Sequence, residues 1–293
     1  SLAEFYKTAW PQFDPAVFVD SWHLHRIAEH LEAVAHGEIR RLLINVPPRT
    51  GKTGLVSICF PAWVWAQRNK GPLSGPQVSF LYASYAEQLS LEHSLKTRRL
   101  VESAWYRKHW GQQFSLVSDR NQKGHFENNR GGYRMATSVD ARATGFGADI
   151  LVADDPHLVK EAESELVRRS VVQWWTETMP SRLNDRKTGA MIVVMQRVHE
   201  EDLSGYIIAN ELGYEHLMLP MRFDEARVMI NGARYETAIG FSDQRKDGEL
   251  LWPERLPEKE VAALEKELGP YGAAGQLQQS PEPRGGGILK RDW

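Results

Sequence analysis

Arg41-Leu42-Leu43-Ile44-Asn45-Val46-Pro47-Pro48-Arg49-Thr50-Gly51-Lys52-Thr53 is the stretch on which the reading of this chain turns. A short apolar run, which predicts a buried strand, leads into a double proline and then into Gly-Lys-Thr at the head of a predicted helix. That order of strand, loop and helix is the context the phosphate-binding pattern GxxxxGK[ST] requires. In such a loop, backbone amides and the helix N-terminus meet anionic charge. Lys52 is then expected to reach the β and γ oxygens of ATP and the Thr53 hydroxyl to bind Mg²⁺, with Pro48, Arg49, Thr50 and Gly51 completing the cradle. Val46 replaces the first glycine of the pattern, and the two prolines cannot donate hydrogen bonds, so the early loop should be stiff and poor in amides.

Working outward, Ile150-Leu151-Val152-Ala153-Asp154-Asp155 is a second apolar run, and it ends in two acids. A strand of an open α/β sheet delivers such residues to the crevice where ligands bind. Asp154 is the candidate Mg²⁺ ligand and Asp155 the group that polarises an attacking water. Further strands are predicted at 78–83, 133–137, 190–195 and 215–219, and helices at 20–36, closed by Gly37, and 86–102. The helix that follows Gly51 is expected to bend or end near Pro61. The polar stretch 119–132 reads as a loop or hairpin, and 222–248 has a weaker, more polar pattern. Strands separated by helices predict a mainly parallel central sheet flanked by helices, which with the phosphate loop makes an α/β P-loop NTPase.

The composition narrows the setting. Of 293 residues, 36 are Lys or Arg and 38 Asp or Glu, a net charge of −2, so nucleic-acid contacts must be local rather than spread over a basic coat. A single cysteine, Cys59, rules out an internal disulfide framework and points to a reducing interior. The longest mainly apolar run, 55–66, is too short to span a membrane and contains Pro61.

The Pro-Pro-Arg-Thr-Gly-Lys-Thr loop, Ala83-Ser84-Tyr85, Thr144-Gly145-Phe146-Gly147-Ala148-Asp149, Ala153-Asp154-Asp155-Pro156 and the run Gln196 to Gly205 follow one another in an order that resembles the large terminase subunit of tailed bacteriophages. Leu251-Trp252-Pro253-Glu254-Arg255 and Gln278-Gln279-Ser280-Pro281 continue the match. The resemblance implies the additional-strand, catalytic-acid type of the P-loop NTPase fold. It implies a Mg²⁺-dependent ATPase that pumps double-stranded DNA into a procapsid, assembled as a ring on the portal, with a small terminase subunit as partner, in the host cytoplasm and away from membranes. It also implies residues 1–279 as the ATPase domain, with an adenine-side helix at the start and a lid-like segment at the end. Residues 280–293 would begin the linker to a nuclease domain, and no nuclease activity is expected from these residues. Two other readings stay open: a helicase-like translocase, and a nucleotide-binding assembly module without turnover.

By the same resemblance the segment before the loop cradles the adenine, which makes Trp22, His23 and Arg26 candidates. Each equally reads as part of a helix packed on the sheet. Arg49 is a candidate arginine finger within the chain, and Arg142 one that reaches a neighbouring subunit. Gln196, at the end of a strand, is the candidate γ-phosphate sensor and coupling residue. His199, Glu200, Glu201 and Asp202 have poor metal-ligand spacing and read as a helix start. Lys96/Arg98/Arg99 and Arg182/Arg186/Lys187 are the basic groups available for DNA backbone contacts.

Overall fold

A computed structural model describes residues 1–68, 70–139, 145–230 and 233–283. Its organising element is one eight-stranded sheet in the order β3-β4-β5-β2-β6-β7-β1-β8. The strands are β1 (Arg41–Asn45), β2 (Phe80–Ser84), β3 (Leu116–Asn121), β4 (His125–Asn128), β5 (Tyr133–Ser138), β6 (Ile150–Asp154), β7 (Ala190–Met195) and β8 (Glu215–Met218). From β5 to β8 every pairing is parallel; β3 and β4 form the antiparallel hairpin at one edge, in the polar stretch where a loop or hairpin is expected. The phosphate-loop strand β1 and the acid strand β6 are not neighbours. Strand β7 lies between them, in register with both, so that Val194 is paired with Asp154 on one side and with Ile44 on the other. This intervening strand is the additional strand expected of the catalytic-acid type.

The central strands are apolar at almost every position because both faces are covered. Alternate residues divide between two cores. Leu42, Ile44, Phe80, Tyr82, Ile150, Val152, Ile192 and Val194 face one, which is closed by helices α1 (Leu2–Ala9), α2 (Trp22–His36), α3 (Phe60–Ala66), α4 (Glu87–Glu102) and α5 (Ala104–Trp110). Leu43, Leu81, Ala83, Leu151, Ala153, Met191, Val193 and Met195 face the other, under α6 (Glu165–Gln173) and α7 (Leu203–Ala209). After β8 come a short helix α8 (Glu225–Val228), a two-residue ladder of β9 (Met229–Ile230) with β10 (Ala233–Arg234), and α9 (Glu258–Gly272), which kinks at Gly269 where φ is 68°. Helix α2 ends as expected, with Gly37 left-handed at φ 83°.

The helix behind the phosphate loop departs from the expectation. It passes Pro61 and runs on to Ala66, after a π-helical segment at Gly54–Cys59. Pro61 has no N–H to offer the carbonyls four and five residues back, Ser57 and Val56. Both are satisfied from elsewhere: Val56 by the Tyr82 hydroxyl at 2.9 Å, Ser57 by Arg134 Nη2 at 3.0 Å and Thr97 Oγ1 at 3.2 Å. The widened turn thus docks the helix onto β2, β5 and α4. Among the described residues no helix is long and apolar enough to cross a membrane.

Candidate functional site

The site forms where β1, β6 and β7 end on the same edge of the parallel sheet. Beyond Asn45 the chain turns through Pro47 and Pro48, and two residues adopt left-handed backbone, Arg49 at φ 61° and Gly51 at φ 85°. Between them Thr50 is locked from both sides. Its hydroxyl donates to Pro47 O at 2.7 Å, and its carbonyl accepts from His23 Nε2 at 2.9 Å. The proline carbonyl thereby serves as an acceptor where the proline nitrogen cannot donate. His23 is fully buried, its Nδ1 accepts from the Ser21 hydroxyl, and desolvation holds its pKa down at about 4, so the ring is neutral and donates from Nε2. The Tyr6 hydroxyl from α1 donates to Gly51 O at 3.1 Å.

The side chain of Lys52 is almost fully buried, and its Nζ lies 2.8 Å from Asp155 Oδ1. Asp155 follows directly on β6 with a left-handed φ of 46°, a conformation that costs an ordinary residue about 1 kcal/mol and that Asp tolerates better than most. The turn brings its carboxylate back over the loop, where Oδ1 also accepts the Gln196 N–H at 3.0 Å. Asp154, 3% exposed, accepts from the Ser57 hydroxyl at 2.7 Å through Oδ2 and interacts with the Thr53 side chain. Its Oδ1 is buried without a hydrogen-bond partner. Burial and the adjacent Asp155 push the Asp154 pKa up to about 6, against the pull of Lys52, Ser57 and Thr53. His93 of α4 lies 3.8 Å from Asp154 Oδ2, with a pKa lowered to about 4 by burial and by Arg134 and Lys96, so this contact is one of a neutral imidazole with a carboxyl.

A cavity of about 290 Å³ opens over the loop. Tyr6, Trp10 and Phe13 form its apolar side, while Lys52, Lys96 and Arg255 line it with positive charge. Pro48, Arg49, Thr53, His93 and Asp155 are also on its wall. The structure therefore brings Lys52, Thr53, Asp154, Asp155 and the Gln196 main chain together. Trp22 and Arg26 open instead onto a separate cavity of about 640 Å³, where Arg26 lies over the Phe241 ring and Arg245 over Trp22. The Gln196 side-chain oxygen is buried and unpartnered. Arg142 lies outside the described residues, as do the last ten residues of the expected linker.

Several residues of the site go beyond the sequence reading. The Tyr6, Trp10 and Phe13 spacing is helical, but nothing local indicates that this N-terminal segment docks on a loop forty residues later. Of the basic group Lys96, Arg98 and Arg99, Lys96 faces the cavity, whereas Arg98 Nη1 donates to Asn121 O at 2.9 Å. Arg186 lines a different cavity with Arg40 and Arg41 at the start of β1. Asp202 caps α7, accepting from Gly205 N at 2.9 Å, and holds Arg197 Nε through both carboxylate oxygens. Among the described residues no group of three or more His, Cys, Asp or Glu side chains could hold a metal ion.

Comparison with solved structures gives the fold a relative. The large terminase of bacteriophage HK97 superimposes with a TM-score of 0.50 at 11% identity, covering 78% of this chain and 46% of that one, so the chain spans about half of its length. An ATPase-domain mutant of the Thermus phage P74-26 large terminase gives a TM-score of 0.49 at 12% identity, covering 84% of this chain and 91% of that one. No curated protein matches the chain. The family model described as terminase large subunit, T4likevirus-type, N-terminal, matches residues 43–275, from β1 through the phosphate loop, the acid strand and α9. The chain belongs to the terminase large subunit family, in the N-terminal part that this model describes.

Proposed function

We propose that this chain hydrolyses ATP with Mg²⁺ and that hydrolysis drives double-stranded DNA into a phage procapsid. The observation that carries the reading is the convergence of Lys52 and Asp155, 2.8 Å apart, beside the Thr53, Ser57 and Asp154 oxygens. Lys52 pairs with the γ-phosphate in exchange for Asp155, which frees that carboxylate to accept a hydrogen bond from water. The Gln196 N–H keeps its Oδ1 aimed while the proton moves from water to carboxylate. The donor set suits Mg²⁺: all oxygens, with one Asp154 oxygen buried and unpaired. Thr53 and Asp154 would hold the ion, which would supply neutralisation of the phosphate oxygens. The apolar side of the cavity at Tyr6, Trp10 and Phe13 suits a base, and Lys96 and Arg255 suit phosphate or ribose oxygens.

By family membership the motor is a ring on the procapsid portal in the host cytoplasm, with DNA and the small terminase subunit as partners. Arg142 is then the finger that completes a neighbour's site, and Arg49 the cation within the chain. Lys52→Ala is expected to abolish ATP binding, and Asp155→Ala to keep binding while turnover falls about a hundredfold or more. Undiminished turnover in either variant removes the assigned site. For Arg142→Ala, mixing with Lys52→Ala subunits should restore activity; two silent proteins that stay silent together count against a finger acting across subunits.

A further inference from the structure

The amide next to the one that holds Asp155 is tied to the far end of the chain. In extended backbone, successive N–H groups point to opposite sides. Beyond β7, the Gln196 N–H points to Asp155 Oδ1, and the Arg197 N–H donates to the Gln279 side-chain oxygen at 3.0 Å. Gln279 is 2% exposed and sits in left-handed backbone at φ 55°. Its own Nε2 donates to Gln276 O at 2.6 Å, so the amide is oriented from behind. The neighbouring Gln278 does the same beyond β8, on the other side of β1. Its side-chain oxygen accepts Arg222 N at 2.9 Å and its Nε2 donates to Arg222 O at 3.1 Å. Arg197 lies two residues past the end of β7 and Arg222 four past the end of β8, the two strands that flank β1. The segment 277–283 is therefore a strap clasped by two glutamines to either side of the phosphate-loop strand.

A buried glutamine in a strained backbone, with both ends of its amide used, is more than packing needs. We infer that Gln279 is a positioning residue for Asp155: by holding the Arg197 amide it sets the turn whose preceding amide aims the carboxylate, and so makes the strap part of the hydrolytic site. The inference rests on the proposed role of Asp155.

Single-turnover hydrolysis and ATP binding by Gln279→Gly and Gln279→Asn test it. Glycine accommodates φ 55° better than glutamine, and asparagine tolerates it while falling one methylene short, so thermal melts should show both variants folded. Turnover should fall about tenfold or more in each, with ATP affinity within about twofold of wild type. In an Asp155→Asn background the Gln279→Gly change should have no further effect, because the group it positions is gone. Full turnover in both variants overturns the inference, and so does an equal loss in the Asp155→Asn background, which would mark a general structural role. If Asp155→Asn alone leaves turnover intact, the assignment of the hydrolytic site fails instead, whatever Gln279 does.

Discussion

Asp154 shows what the site costs the fold. Its carboxyl is buried, one oxygen has no partner, and its pKa rises from 3.8 to about 6. The native state therefore binds this proton more tightly than the unfolded chain. The sign follows: the cost is absent below about pH 4, grows as pH rises through 6, and is complete above it. Asp154→Asn should stabilise the metal-free protein at pH 8 by on the order of 1–3 kcal/mol while removing the proposed Mg²⁺ ligand. Urea unfolding in chelator at pH 8 and pH 5.5 measures this. The gain should shrink at the lower pH, and an asparagine variant less stable than wild type at pH 8 would exclude the desolvation account. The paired acids were legible because an apolar run ended in them. The order of metal ligand and then water-polarising acid is also an expectation of the sequence; the partners that hold each carboxylate are not legible there, since Ser57 reaches Asp154 from the π-helical turn while Asp155 turns back to Lys52.

Pro61 sets the character of the element behind the phosphate loop. Its missing N–H leaves the Val56 and Ser57 carbonyls to side-chain donors, and the donor to Val56 is the buried Tyr82 hydroxyl. Tyr82→Phe leaves that carbonyl buried and unpaired, which should cost about 1–3 kcal/mol in urea unfolding. A variant as stable as wild type would mean that the turn closes on another donor. Proline predicts a break here when only the local chain is considered; the helix continues because Tyr82, Thr97 and Arg134 arrive from β2, α4 and β5, which a local reading cannot see. The strands are more legible: largely apolar runs predict β1, β2, β6 and β7, and the mixed run 215–219 predicts β8, all to within two residues at either end, with 190–195 at both bounds. The place of the N-terminal helix is not legible locally, because its value lies in Tyr6 reaching Gly51, forty-five residues along the chain. Of the strap, the sequence reads 280–283 as the start of a linker and leaves Gln278 and Gln279 in the ATPase domain without a role, since their acceptor and donor roles exist only once β7 and β8 end beside them.

Across the whole molecule, elements are tied together by neutral histidines, of which His23 and His157 are buried and His93 and His216 half-buried. His23 links α2 to the phosphate loop, His93 brings α4 to Asp154, His157 Nε2 accepts the first amide of α7 at 2.9 Å, and His216 of β8 bonds Asn45 of β1. Burial lowers each of the four to about pKa 4, from an ordinary 6.5. Here the unfolded chain binds protons more readily, so the stability these groups contribute is fully present above about pH 6.5 and is lost as pH falls toward 4. This is opposite in sign to Asp154, and four such groups outweigh one. At on the order of 1–3 kcal/mol each, the total rivals the stability of a typical domain, so the fold should fail on mild acidification. Urea midpoints should therefore fall steadily from pH 7.5 through 6 to 5. His157→Gln, which has no group to protonate, should flatten that slope, although it loses some stability at pH 7.5 because its amide meets the Leu203 N–H less well than a ring nitrogen does. A midpoint that stays level or rises down to pH 5 would mean that water reaches these imidazoles, and that the ties between the phosphate loop, the acid strand and α7 are looser than their burial implies.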